Sequence, residues 1–260
     1  MNPTALFPVP PDQEGSCGNW IYHEWAEASS TNDLARALPP GHIAVCHEQT
    51  SGRGRFNRKW IGQKGGLWAS FVIPLTPSPK STIPVNWGHL PLVAGLALLQ
   101  MLRSMGVNSA RLRWPNDLLI GHSKLAGILV ERPSSNIAII GIGINVFNDV
   151  NVIAGDVKDP PVRLADLIPN PPSLHTIMTS LGSHLNRVLS DFSLGGISSL
   201  QKELMVAWAG KRLVSILTDN ETIQGIFTGI DDQGNPVLSL PTDTIRTIPA
   251  HLINRLIENK

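Results

Sequence analysis

The chain contains 260 residues, of which 42% are hydrophobic and 16% are charged. This balance is typical of a globular protein and excludes a disordered chain, and the length allows one large domain and a small second one. The net charge of +1 provides no general attraction to nucleic acid or to a membrane surface, so neither is expected as a partner.

Cysteine content and the N-terminus indicate a cytoplasmic location. The two cysteines, Cys17 and Cys46, are too few for a disulfide framework. The N-terminus carries neither a basic start nor an apolar signal core, and the longest apolar stretch, residues 90–102, is too short to span a bilayer.

The first hundred residues alternate predicted strands and helices. Residues 1–19 are rich in proline and predict an irregular leader. Hydroxyl and amide residues at 29–33 are typical of a helix N-terminus, and Pro39-Pro40-Gly41 ends that helix. Apolar runs predict strands at 20–25, 43–47 and 67–73 and a buried helix at about 90–105.

The next hundred residues predict a hairpin and two more helices. Strands are expected at 110–114, 118–120, 124–131 and 137–144, with a short polar turn at 121–123. The proline-rich segment 74–84 is expected to link to the buried helix, segment 155–173 predicts a surface crossing, and helices are expected at 174–191 and 197–208.

Composition changes near the C-terminus, where short strands replace helices. Four strands at 212–217, 222–230, 236–240 and 244–248, separated by turns, predict a small barrel. The expected domains are therefore residues 1–206 and 207–260.

A basic loop at residues 51–60, SGRGRFNRKW, contains four basic residues and two glycines. Glycines allow the backbone to approach a ligand closely, and guanidinium groups hold carboxylate or phosphate oxygens through paired hydrogen bonds. The loop therefore indicates an anionic ligand, with an ordinary solvated loop as the alternative.

Lys124 and the turn Trp114-Pro115-Asn116-Asp117 suggest polar groups at the mouth of the hairpin. Lys124 precedes the apolar run 125–130, so its ammonium is expected to point into a site, although a lone lysine at a strand start is usually a surface residue. Asp117 could bind Mg²⁺ or accept a proton from an amine. An ordinary turn, in which these side chains cap backbone groups, is the alternative.

Neutral polar residues and glycines complete the candidate site. Gly141 and Gly143 share one face of a strand and predict a flat channel for a ligand, with Asn145 at its end. Uncharged hydrogen-bonding groups suited to a neutral heterocycle are Ser30, Thr31, Asn32 and Gln49. The histidines show no metal-ligand spacing.

Taken in order, these motifs resemble those of biotin–protein ligases. The resemblance rests on Ser30-Thr31-Asn32, Gln49 to Arg55, Lys59-Trp60, Arg113 to Asp117, Lys124 to Glu131 and Gly141 to Asn145. It implies an α+β fold, with a mixed β-sheet and helices like those of class II aminoacyl-tRNA synthetases, followed by a small SH3-like barrel.

The resemblance also implies a two-step, ATP-dependent reaction. Biotin and ATP, assisted by Mg²⁺, form biotinyl-5′-AMP, and a lysine of the biotin carboxyl carrier protein of acetyl-CoA carboxylase then takes the biotinyl group. A form without a DNA-binding domain is expected, because fewer than thirty residues precede Ser30. A homodimer through sheet edges is compatible with the resemblance, but no sequence feature decides it.

By resemblance, each site residue receives an expected role. Arg55, Lys124 and Asp117 are expected to be catalytic, Asp117 as a metal ligand or a proton acceptor. The expected biotin contacts are Ser30, Thr31, Asn32, Gln49, Gly52, Arg53, Gly54, Arg55, Lys124, Gly127 and Gly143. The expected ATP contacts are Arg53, Arg55, Trp60, Asn116, Lys124 and Asn145.

One departure and three rival functions accompany the resemblance. Asn57 stands where the family's loop has a third glycine, and asparagine tolerates the left-handed backbone that such a position requires. The nearest rival is a lipoate or octanoate ligase or transferase, whose usual arginine–glycine motif with a histidine is not recognisable here. A non-catalytic biotin sensor that binds DNA as a regulator is less consistent with the neutral overall charge. An RNA-binding module is less consistent with the few aromatic residues.

Overall fold

In the computed structural model, residues 10–75, 86–151 and 159–259 are described. The helices are α1 (Thr31–Ala35), α2 (Leu90–Ser104) and α3 (Leu174–Ala207). The strands of the first sheet are β1 (Gln13–Cys17), β2 (Trp20–Ala28), β3 (His42–Gln49), β4 (Leu67–Pro74), β5 (Ala110–Arg113), β6 (Asp117–Ile120), β7 (Ser123–Ser134) and β8 (Ile137–Ile144). The strands of the second sheet are β9 (Arg212–Leu217), β10 (Thr222–Ile230), β11 (Pro236–Ser239), β12 (Ile245–Thr247) and β13 (Arg255–Glu258).

The first sheet is mixed and covered on both faces. Its strand order is β1-β2-β3-β4-β8-β7-β6-β5, in which β2 and β3 run parallel and the other neighbours antiparallel. Side chains alternate along a strand, so Phe71 packs into the large core with α2 and α3, whereas Trp68 and Val72 pack on the side of α1. Burial on both faces explains why β4 is an uninterrupted apolar run.

Helix α2 is buried along almost its whole length, which agrees with its prediction as an apolar helix. Helix α3 is interrupted at Gly196, whose φ of 62° and ψ of −157° are not helical. This break lies between the two helices predicted at 174–191 and 197–208. None of the helices in the described part of the chain has the length and apolarity that a membrane crossing requires.

The second sheet has the order β12-β11-β10-β9-β13, with antiparallel neighbours throughout. Four of its strands agree with the predicted barrel, and the α+β fold with a small C-terminal β-structure is confirmed. Strand β13 was not predicted. The irregular leader was wrong for residues 13–17, because these residues pair with β2 as an edge strand. Residues 76–85 and 152–158, which overlap the predicted link at 74–84 and the predicted crossing at 155–173, lie outside the described residues.

A buried ion pair joins the two sheets. Arg111 of β5 donates to both carboxylate oxygens of Glu258 on β13, at 2.6 and 2.5 Å. Their side chains are only 5% and 10% exposed. Trp114 adds an indole hydrogen bond to the Gly234 carbonyl, at 3.1 Å. These contacts fix β13 beside the hairpin that carries the candidate site.

We predict that Glu258→Gln lowers the free energy of unfolding by about 3 kcal/mol, because a buried ion pair that loses one partner leaves the other charge uncompensated. Urea denaturation measures the change. Glu221→Gln is the matched control, since it breaks a bidentate pair with Arg246 whose side chains are 47% and 42% exposed. Equal losses in both variants would contradict the role assigned to the buried pair.

Candidate active site

A cavity of about 880 Å³ lies where β3, β6, β7 and β8 meet the basic loop. All but one of the predicted site residues line it: Ser30, Thr31, Asn32, Gln49, Arg53, Gly54, Arg55, Trp60, Asn116, Asp117, Lys124, Gly127, Gly143 and Asn145. The exception is Gly52. Its carbonyl accepts from the Trp60 amide at 2.8 Å, and a Cβ at this position would lie 2.6 Å from the Trp60 carbonyl oxygen. Gly52 therefore permits the close approach of two backbone segments.

One end of the cavity is built from uncharged hydrogen-bonding groups. Gln49 Oε1 accepts from the backbone amide of Thr31 at 2.9 Å and lies 3.3 Å from its hydroxyl. Ser70, fully buried on β4, donates to Asn32 Oδ1 at 2.6 Å and lies 2.7 Å from Thr31 Oγ1. Asn32 Nδ2 is buried and finds no hydrogen-bond partner among the described residues. A ligand with an acceptor atom would satisfy this donor.

Ser70 was missed by the sequence reasoning. Its signal was available, because it is the one polar residue inside the apolar strand β4, and a buried hydroxyl in such a strand needs a partner.

Trp60 covers the glycine channel. Gly127 and Gly143 are cross-strand neighbours on β7 and β8, and a Cβ on either would lie 2.9 or 2.8 Å from the indole. Gly127 and Gly143 thus form a floor on which the ring rests directly, whereas the sequence expectation of a flat channel was built on Gly141 and Gly143. Trp60 Nε1 is buried without a partner in the part of the chain that is described. A Cβ at Gly141 would instead clash with Asn32 Oδ1.

The opposite end of the cavity carries a cluster of alternating charges. Asp117 lies 2.6 Å from Lys124 Nζ through one oxygen and 2.6 Å from Arg113 Nη2 through the other. Arg113 also donates to both oxygens of Asp159, at 2.8 and 2.6 Å. Burial opposes ionisation of Asp117, but Lys124 and Arg113 outweigh it and hold the pKa of this carboxyl below its usual value.

The cluster includes two residues to which the sequence reasoning gave no role. Arg113 stood in the quoted motif without a function, and Asp159 lies in a segment without periodicity, so no local signal marked it. Residues 254–256, at the start of β13, also line the cavity and were missed. No three His, Cys, Asp or Glu side chains converge on a metal site within the described ranges.

The basic loop is a tight hairpin. Gly54 donates to the Arg58 carbonyl at 2.7 Å, and Arg53 bridges to Lys59. Phe56 and Asn57, with φ of 57° and 55°, occupy the left-handed region, which for Asn57 agrees with the sequence expectation. Burial lowers the pKa of Arg55, and the charge of Asp117 opposes this effect. Arg55 also lines the cavity.

Asn116 and Asn145 brace the strands around the cavity. Asn116 Nδ2 donates to the Ile128 carbonyl at 2.7 Å, and Asn145 Oδ1 accepts from Asn148 Nδ2 at 3.1 Å. Asn145 Nδ2 also lies 3.4 Å from the Lys124 carbonyl. These contacts hold the backbone of β7 in position next to Lys124.

We predict that Asp117→Asn costs most stability at neutral pH and progressively less below about pH 4, the ordinary pKa of an aspartate. A carboxyl with a lowered folded-state pKa stabilises the fold above its unfolded pKa, and this contribution disappears as pH falls through the folded value. Urea midpoints from pH 7 to pH 3 measure the difference. Asp232→Asn, at an exposed position outside the cavity, serves as the control, and a pH-independent difference for Asp117→Asn would refute the prediction.

The Biotin/lipoate A/B protein ligase family matches residues 26–146 of this chain. The biotin protein ligase C terminal domain matches residues 212–250. These matches place the chain among ligases that attach a small carboxylic acid to a protein.

Similarity to individual proteins distinguishes between the biotin and lipoate branches of this family. The chain is 30% identical over 240 residues to the biotin–[acetyl-CoA-carboxylase] ligase of Paracoccus denitrificans, covering 86% of this chain and 96% of that protein. It is 30% identical over 242 residues to the bifunctional ligase/repressor BirA of Bacillus subtilis, covering 86% of this chain and 69% of the relative. The solved biotin protein ligase of Aquifex aeolicus, in complex with biotin and ATP, superposes with a TM-score of 0.78 at 25% identity, over 92% of this chain and 99% of that one. The chain belongs to the biotin protein ligase family.

Proposed function

We propose that the protein is an ATP-dependent biotin–protein ligase, which forms biotinyl-5′-AMP and transfers biotin to a lysine of a biotin carboxyl carrier protein. The observation that carries this proposal is the division of one cavity into an uncharged end and a cationic end. Biotin has a neutral urea ring and a charged carboxylate, and ATP adds a polyphosphate. The two ends match these chemical groups in type.

We assign the uncharged end to the biotin ring. Ser30, Thr31, Asn32 and Gln49 offer donors and acceptors there, and the unpartnered Asn32 Nδ2 supports a ligand at this position. A buried polar atom left without a partner costs roughly 1–3 kcal/mol. Binding a ring that accepts from this donor would recover part of that cost and fix the ring's orientation.

We assign the cationic end to the reacting groups. A carboxylate oxygen of biotin attacks the α-phosphorus of ATP, and the bond from this phosphorus to the bridging oxygen breaks, so that pyrophosphate leaves with the electron pair. Two anions must approach each other, and fixed cations lower the barrier by compensating their charge. Arg55 and Lys124 both line the cavity and are suited to this role.

The lowered pKa of Asp117 makes this carboxylate a weak base. Its two oxygens already contact Lys124 and Arg113, and this arrangement fits orientation of Lys124 better than metal binding or proton abstraction. We therefore assign no protein ligand to Mg²⁺, which would enter with the phosphates of ATP as part of the substrate.

In the second step, the uncharged ε-amine of the carrier lysine attacks the biotinyl carbonyl carbon. The bond from this carbon to the phosphate oxygen breaks, AMP leaves with the electron pair, and the proton that the amine nitrogen loses passes to solvent. We assign the basic loop and Trp60 to covering the mixed anhydride, because water that reached it would hydrolyse it. Trp60, resting on Gly127 and Gly143, is placed to pack against the nucleotide or the biotin chain.

We predict that Lys124→Ala reduces biotin-dependent exchange of labelled pyrophosphate into ATP by about 100-fold or more, the scale of losing one fixed group that stabilises transition-state charge. Lipoate and octanoate run in parallel as alternative acids. Lys64→Ala is the matched control, because Lys64 is exposed and does not line the cavity.

Exchange with biotin alone supports the proposed function, and exchange with lipoate instead would move the protein to the sister activity. Absence of exchange with every acid in the unaltered protein would refute an adenylating ligase. Normal exchange by Lys124→Ala would remove only the role given to that lysine.

We predict that Arg55→Gly releases biotinyl-AMP into solution, because the loop loses the cation that faces the cavity. Biotin labelling of an added bystander protein should rise about tenfold, the change expected when about 1.4 kcal/mol of retention is lost. Arg132→Gly removes an exposed arginine outside the cavity and serves as the control. Unchanged bystander labelling would contradict the role of Arg55 in retention.

A further inference from the structure

Arg53 of the basic loop is held by a carboxylate on a neighbouring helix. Its Nη1 and Nη2 donate to the two oxygens of Asp33, at 2.8 and 2.5 Å. Sequence reasoning assigned Arg53 to a ligand carboxylate or phosphate. In the structure its guanidinium fork already has a carboxylate partner, and Arg55 is another loop arginine that lines the cavity.

The Asp33–Arg53 pair belongs to a network of four charges. Arg53 Nη2 lies 3.6 Å from Glu131 on β7, and Arg36 approaches Glu131 at 2.9 Å and Asp33 at 3.8 Å. Two cations and two anions therefore alternate across helix α1 with its C-cap, the loop and β7. Hydrogen bonds from Arg53, with a smaller opposing effect of burial, keep the pKa of Asp33 below its usual value, so the pair is charged at neutral pH.

Holding Arg53 holds the whole loop. The hairpin is closed by Gly52–Trp60, Gly54–Arg58 and Arg53–Lys59 backbone contacts, with Arg55 and Phe56 at its tip. Because these contacts make the loop one unit, a clamp on Arg53 fixes Arg55 and Trp60 over the cavity.

We propose that Asp33 is a positioning residue that latches the basic loop over the cavity through Arg53. We further infer that this latch slows the escape of the acyl-adenylate, an inference that rests on the proposed function. The side chains of Asp33 and Arg53 are 39% and 26% exposed, so the latch is weak enough to open for substrate entry and for the carrier lysine.

A test of the latch itself needs no substrate. The loop contains tryptic sites at Arg53, Arg55, Arg58 and Lys59, so its opening can be followed by limited trypsin digestion and mass spectrometry. Asp33→Asn should raise the rate of cleavage within residues 53–59 by up to about fivefold, the upper end of the range expected for loss of a partly exposed ion pair.

Charge and geometry can be separated by two matched variants. Asp33→Glu keeps the charge and should restore slow cleavage. Glu221→Gln breaks an exposed bidentate pair on the second sheet and should leave loop cleavage unchanged. Added salt should accelerate loop cleavage of the unaltered protein and reduce its difference from Asp33→Asn, because salt screens the pair. If Asp33→Asn acted only by altering helix α1, added salt would not reduce the difference in cleavage between this variant and the unaltered protein.

A second measurement follows release of biotinyl-AMP from the same variants, normalised to the amount formed. Faster cleavage and faster release in Asp33→Asn would support both parts of the proposal. Equal cleavage in Asp33→Asn and the unaltered protein would overturn the latch. Faster cleavage of Asp33→Asn would support the latch even if the unaltered protein formed no biotinyl-AMP, and that second result would refute the proposed function. The two failures are therefore distinguishable.

Discussion

The candidate site depends on one carboxylate held between two cations. Asp117 contacts Lys124 on one side and Arg113 on the other, and this arrangement places a lysine ammonium at the cavity without leaving its charge uncompensated. The strands supply the geometry, since β5, β6 and β7 are consecutive antiparallel neighbours. Removing the carboxylate would leave two cations facing each other in a partly desolvated place, which is why its charge state controls the whole cluster.

The side chains that line this cavity are held in place in two different ways. At the uncharged end the side chains are ordered by hydrogen bonds among themselves, with Ser70 holding Thr31 and Asn32 from behind. At the charged end the order comes from ion pairs. Between them the glycine floor on β7 and β8 lets Trp60 lie flat against backbone. A molecule with a neutral ring and an anionic tail would satisfy both ends, which is the physical basis of the proposed function.

The sheet was largely predictable because its apolar runs are buried on both faces. Strands β1 and β13 were not, since neither has a regular buried face and each is recognisable only from its neighbour. The residues of the cavity could be named from their motifs, although their roles remain predictions. Partners such as Asp159 and Asp33 could not be found, because an ion pair across many residues leaves no periodic pattern in the chain.

Strand β5 contacts both the second sheet and the charged cluster of the candidate site. Arg111 and Arg113 are two residues apart on this strand, so their side chains leave it on the same face. Arg111 binds Glu258 of the second sheet, and Arg113 binds the acidic cluster beside Lys124. Residues 254–256, just before Glu258, line the cavity. Loosening the Arg111–Glu258 pair would therefore disturb the cavity wall as well as stability, and the second sheet is part of the site rather than an appendage to it.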